Sequence, residues 1–292
     1  MSYRKILLPV FGSENDQAAI KVALNLARLF GAHVEALFVR LDPVRTIPYG
    51  YIGSDVSGFS AQYAIEAAIK AADEAQALAQ ATFDQVVKSM SIEVNNKPGV
   101  RADATAEFRI VQGDFADEVE RAARMSDLIV FSSTGGQTRL EGIHEGFEAA
   151  LLSGSRPVLF VPREPAETLG QRVAIAYDGS AAAAHAVSAA LPFLMRAKSV
   201  HSFEITPEKG KSVVLEELRN YLSLRGVTTV EHVVAAGSKS TAEALSQAVE
   251  SQHCELLVLG GYGHSRVREF VLGGVTRHLL RHGSNLAILM AH

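Results

Sequence analysis

The sequence predicts an α/β fold built from two consecutive copies of one strand–helix unit, and three observations carry that prediction. Short apolar runs such as Ile6-Leu7-Leu8 and Leu256-Leu257-Val258-Leu259 alternate with longer stretches of helical periodicity, the pattern of a parallel sheet with helices on both faces. The text of the first half returns in the second: Gly12-Ser13 and Gly179-Ser180 stand 167 positions apart, and Val39 and Ile205 stand 166 apart, so register holds through a whole unit. At 292 residues and 48% hydrophobic, the chain has material for two such units.

In the first copy, Ile6 to Val10 reads as a strand that turns at Phe11-Gly12-Ser13 into a helix with Ile20, Ala23, Leu24, Ala27 and Phe30 on its apolar face. Ser13 is placed to cap that helix, with Asp16 three residues on for a capping-box contact, and Gly31 is placed to end it. Val34 to Val39 follows as the second strand. A connection from Arg40 to Ser60, rich in Pro, Gly and Tyr, leads to a long amphipathic helix over Ala61 to Val87. Glu107 to Val111, Leu128 to Phe131 and Pro157 to Val161 complete the copy as strands three to five.

Pro162 to Gly170, with two prolines, charge and a terminal glycine, has the composition of a linker and sets the units at 1–162 and 171–292. The second copy repeats the order: Val173 to Tyr177, the turn Asp178-Gly179-Ser180, a helix with Val187, Ala190, Leu191 and Leu194, then Val200 to Ile205. Glu231 to Ala235, Leu256 to Leu259 and Leu286 to Met290 are its last three strands.

The fourth strand of the second copy empties into Gly260-Gly261-Tyr262-Gly263, and nine residues later comes Gly273-Gly274-Val275 at the head of a short helical run. Glycines after a buried strand let the backbone approach a ligand, and free amides at a helix start favour an anion, so the pattern points to phosphate. The bland reading is a tight strand-to-helix connection. The first copy has Ser132-Ser133-Thr134-Gly135 and His144-Glu145 at the corresponding places, and Phe11 opposite Asp178, so its version is degenerate. A glutamate beside a phosphate repels it.

The spacing Gly260-x2-Gly263-x9-Gly273 resembles the nucleotide-binding signature of the universal stress protein family. The resemblance implies two tandem Rossmann-like domains of the adenine nucleotide alpha hydrolase type, each a five-stranded parallel sheet of order 3-2-1-4-5 flanked by helices. It also implies ATP or another adenine nucleotide, with Mg, in the second domain, and a role in stress response. Backbone near Ile205 would meet the base, Asp178 the ribose or phosphates, and Gly260, Gly263, Gly273, Gly274 and Val275 the phosphates. The family has Ser or Thr where this chain has Gly274, which removes a hydroxyl from the phosphate site. The family pairs single domains through strand five. One chain is therefore expected to make that pair internally, Pro157 to Val161 meeting Leu286 to Met290, with homodimerisation left open.

Composition bounds the rest. A net charge of -4 and no dense Lys/Arg run give no general attraction to nucleic acid or anionic membrane. A single cysteine, Cys254, allows no intrachain disulfide, and neither a signal peptide nor an apolar run near about 20 residues is present, which points to the cytoplasm. Gly210-Lys211-Ser212 lacks the first glycine of a P-loop and reads as a helix start; His278 and His282 lack a third ligand, and no metal site or catalytic residue is assigned. Two rival readings remain open: a scaffold or binding protein that uses no nucleotide, and a slow ATP hydrolase for which the sequence names no base.

Overall fold

The computed structural model describes residues 3–41, 58–97, 99, 103–132, 145–206, 212–261 and 285–292. Its strands are β1 (Lys5–Val10), β2 (His33–Arg40), β3 (Glu93–Val94), β4 (Thr105–Gln112), β5 (Leu128–Ser132), β6 (Val158–Val161), β7 (Arg172–Ala176), β8 (Ser199–Thr206), β9 (Val230–Ala235), β10 (Leu256–Gly260) and β11 (Ala287–Ala291). The helices are α1 (Asp16–Phe30), α2 (Gly58–Ser89), α3 (Phe115–Ala123), α4 (Ala181–Leu194), α5 (Val213–Ser223) and α6 (Thr241–Ser251), with a π-helical turn at Ala149–Ser153. Local chemistry fixes the ends. Gly31 closes α1 in the left-handed region at φ 63°, its N–H donating to Ala27 O, a conformation that costs glycine least. Asp114 caps α3 by accepting from the amides of Ala116 and Asp117, and Ser240 and Glu243 form a reciprocal capping box at α6. The connection expected to run to Ser60 is shorter, because α2 already begins at Gly58; residues 42–57 lie outside the described residues.

Two separate five-stranded sheets were the expectation, and the structure corrects it: all eleven strands form one sheet, in the order β3-β4-β2-β1-β5-β6-β11-β10-β7-β8-β9. The reason lies in backbone hydrogen bonding. A fifth strand at the end of a half-sheet would leave a row of N–H and C=O groups unpaired. Here β6 and β11 pair with each other, Phe160 opposite Ile288, Leu159 opposite Leu289 and Val158 opposite Met290. This is the single antiparallel pairing among the described residues, and it makes the sheet mixed. The two-residue β3, which the sequence reading missed, adds a further short edge beside β4.

Alternation along the strands splits the core into two layers, one on each face. Leu8, Val34, Val173, Ile175, Val258 and Leu289 lie in one layer, and Leu7, Leu37, Ile129, Ala174, Leu257 and Ile288 in the other. Each layer runs through both halves. A second joint lies beside the strand pairing, where the Tyr3 ring stands 5.1 Å from Phe30 and 5.7 Å from Phe193 of the other half. The Tyr3 hydroxyl donates to Ala189 O at 2.5 Å, and the Arg196 guanidinium lies 5.3 Å from the centre of the Phe30 ring. Burial pushes the Tyr3 phenol far above its ordinary pKa.

Separating the halves uncovers β6, β11 and the Tyr3 cluster at once. Fragments 1–162 and 171–292 expressed apart should associate with each other or self-associate in light scattering; two stable monomers would contradict the importance of the joint.

Candidate functional site

In each half the first strand lies between the second and fourth, β1 between β2 and β5, β7 between β8 and β10. Chain direction diverges there, and open α/β sheets hold ligands beyond the carboxyl ends of such strands. The two copies treat this place differently.

In the first copy the turn after β1 folds its amides around one internal anion. The N–H groups of Phe11, Gly12 and Ser13 donate to Asp16 Oδ2 at 3.0, 2.8 and 3.2 Å, and the Ser13 hydroxyl donates to Oδ1 at 2.9 Å. Asp16 is only 1% exposed. Burial raises its carboxyl above the usual range, and the donated bonds oppose that rise without cancelling it. This differs from the expected capping box, since the Ser13 side chain donates to Asp16 and the position preceding the helix, Asn15, makes no side-chain cap. Successive amides of this kind form an anion nest, and here the chain fills it. The space above is closed too. Phe11 packs 5.1 Å from Phe115, and a Cβ on Gly12 would fall 2.1 Å from Ala75 O, so α2 sits directly on the turn. Ser132, at the end of β5, is 2% exposed.

In the second copy the position of Asp16 is taken by Ala183, and that of Phe11 by Asp178. Asp178 is exposed, and its Oδ1 accepts from Ser180 N at 2.9 Å in a turn that holds Gly179 at φ 76°. Ser180 caps α4 by accepting from Ala183 N at 3.2 Å. Val258 pairs with Ile175, so Gly260 and Asp178 leave neighbouring strands at the same end of the sheet. Ile205 lies on β8 opposite Val234, half-buried against the same layer as Phe203. Where the first copy places Phe115 after its Asp114 cap, the second has exposed Thr241 after exposed Ser240. Gly263, Gly273, Gly274 and Val275 lie outside the described residues.

Gly260 has a structural reason of its own. A Cβ there would stand 2.5 Å from Ala183 N and 2.7 Å from Ala182 C, so the bare Cα lets the first turn of α4 seat against β10. The first glycine of the pattern that points to a phosphate therefore also has a protein neighbour. The carboxylate-filled nest of the first copy was missed, although an aspartate three residues after Ser13 at the foot of an apolar helix face was its signal.

Other sequence features resolve as local structure. Ser212 caps α5 by accepting from Leu215 N at 2.9 Å. Cys254 is half-buried and its thiol is pushed up to about 11, chiefly by burial. No helix among the described residues is long and apolar enough to cross a membrane, and no group of three or more His, Cys, Asp or Glu there is arranged to hold a metal. His278 and His282 lie outside the described residues.

Two substitutions separate packing from ligand chemistry. Asp16→Ala leaves three amides without their acceptor and should lower unfolding free energy by about 2–4 kcal/mol in urea titrations. Gly260→Ala forces α4 off the strand and should cost about 1–3 kcal/mol with no ligand present. An unchanged urea midpoint in either variant would refute the corresponding contact.

The family model described as the universal stress protein family matches residues 2–155 and again 170–285. Among solved structures, a universal stress protein from Archaeoglobus fulgidus DSM 4304 is similar over 99% of this chain and 96% of its own, at 18% identity and a TM-score of 0.70. A protein from Pseudomonas aeruginosa UCBPP-PA14 assigned to the same family is similar over 99% and 93%, at 13% identity and a TM-score of 0.58. No curated protein matches the chain. At these identities the two structures speak for the fold, while the paired family matches span most of the sequence: the chain belongs to the universal stress protein family, with two copies of the family unit in one polypeptide.

Proposed function

We propose that the chain is a stress-response protein whose second unit, 171–292, binds an adenine nucleotide, ATP with Mg being the form to test, while the first unit, 1–162, is a non-binding partner. The observation that carries this reading is the contrast between the two turns. Asp16 and the Phe11–Phe115 pair fill the first, whereas Asp178 is exposed beside Gly260 in the second. Support for the ligand class comes from family membership together with Gly260-x2-Gly263-x9-Gly273 in the sequence. In this reading Asp178 faces ribose or phosphates, backbone at Ile205 meets the base, and Gly263, Gly273, Gly274 and Val275 present amides to the phosphates. Bound Mg would neutralise phosphate charge, with the chain supplying amides and Asp178 around it.

A second reading, a scaffold that takes no nucleotide, gains from Gly260, whose lack of a side chain α4 already requires. Titration calorimetry with ATP and magnesium distinguishes the two. The nucleotide reading expects a stoichiometry near one, removed by Gly263→Val with Gly273→Val. Gly274→Ser, which restores a hydroxyl, should tighten binding by roughly tenfold to a hundredfold, the worth of one hydrogen bond to a charged group. Two equivalent sites would overturn the asymmetry. Absence of heat in both the wild type and Gly274→Ser would favour the scaffold.

A further inference from the structure

The duplication places a pair of histidines where the first half has a permanent ion pair. On β2 and β4, Leu37 stands opposite Arg109, and Glu35, two residues back on β2, forms ion pairs with Arg109 Nε at 3.1 Å and with Lys5 Nζ at 2.6 Å. On β8 and β9 the matching residues are Phe203, opposite His232, and His201, two residues back. His201 Nδ1 lies 3.0 Å from His232 Nε2, and the His232 ring stacks on Phe203 with centroids 4.6 Å apart and planes 13° from parallel. The second half thus holds its outermost strand pair with two titratable rings, at lattice positions where the first half uses Glu and Arg.

A nitrogen–nitrogen distance of 3.0 Å is a hydrogen bond, in which one ring donates and the other must keep a bare lone pair. A first added proton leaves the acceptor lone pair of the neutral partner available. With both rings charged, both facing nitrogens carry protons, and the contact becomes repulsive. No compensating acid faces the rings among the described residues. Beside His201 on its face of β8 are Phe203 and Ile205, and beside His232 on β9 are Val230 and Val234. From β7 come Ala174 and Ala176, and α6 packs on the sheet with Ala242, Ala244, Leu245 and Val249. The nearby charges are otherwise placed: Glu231 is paired with Arg219 from α5, Glu243 caps α6, and Glu250 is exposed. Glu204 alternates to the other face of β8.

We infer that the His201–His232 pair is an acid-sensitive latch on the outer edge of the second half, opening β9 from β8 on double protonation while the Glu35–Arg109 edge of the first half stays closed. The sign follows from burial, which lowers the pKa of both rings below the ordinary 6.5, His201 lowering His232 further. A histidine with a lowered folded pKa contributes stability that is full above its unfolded value, about 6.5, and is lost as pH falls through the folded values. Because β8 runs on to Ile205 and β9 leads to Ser240, opening the latch would also loosen the proposed nucleotide crevice, a consequence that rests on the nucleotide reading as the latch itself does not.

Hydrogen exchange of the full chain, read by mass spectrometry between pH 7.5 and 5 and corrected for intrinsic rates, tests the latch without any nucleotide. Protection over 230–235 should fall on acidification by about tenfold for each unit by which a ring's pKa is depressed, with 109–112, beyond the contacts of His33 to Thr105 and Glu107, unchanged. Transplanting the first-half pair, His201→Glu with His232→Arg, should abolish the acid response, and His232→Phe provides the same check if the double variant does not fold. An equal response at both edges, no response at either, or a response that survives the substitutions would overturn the inference.

Discussion

Everything in this molecule hangs on the seam between β6 and β11. A parallel half-sheet that ends in an apolar fifth strand has an edge it cannot leave in water, because backbone donors and acceptors and a hydrophobic surface are exposed together. Pairing that strand with its own counterpart satisfies both at once. Equivalent strands meet antiparallel, Leu159 opposite Leu289 and Phe160 opposite Ile288, which is the reciprocal pattern of a twofold interface. From this follow the continuous layers above and below the sheet and the wedging of Tyr3 between Phe30 and Phe193.

With the frame shared, the difference between the halves is concentrated in a few side chains. At the turn after the first strand, one acid decides whether the nest is filled from within. In the first half Asp16 reaches back to three amides, and the turn is sealed by aromatic rings and a helix laid across Gly12. Ala183 has no group with which to do the same, and the turn beneath it is polar and exposed at Asp178. Both turns hold their glycine at positive φ, Gly12 at 68° and Gly179 at 76°, while their electrostatic use differs.

Much of this architecture was legible in the chain, and the residues show why. Strands such as Leu256–Gly260 announce themselves by uninterrupted apolarity, Gly31 announces the end of α1, and the recurring Gly-Ser pairs fix the duplication. What escaped notice depends on three-dimensional proximity. The contact of Gly260 with Ala182 and Ala183 joins residues far apart in the chain, and nothing in the glycine itself distinguishes a helix neighbour from a phosphate. β3 is two residues long and half polar, too short for any periodicity to register. The expected pairing of fifth strands already implies the merging of two sheets into one, because hydrogen bonding between β6 and β11 makes that contact a continuation of the sheet.

The segment Pro162 to Gly170 carries a consequence beyond connection. It leaves β6 and returns to β7 with two prolines and with Gly170 at φ 86°, where any Cβ would press to 3.0 Å from the Phe193 ring. Tethering turns the meeting of two units from a collision into a ring closure, governed by an effective concentration that can reach the millimolar range for a short linker. Assembly is then independent of how much protein is made. The pairing is also forced to be unlike with unlike: separate chains could sort into filled–filled and open–open pairs, but one polypeptide delivers each Asp16-filled unit with its Asp178-bearing counterpart in fixed one-to-one proportion.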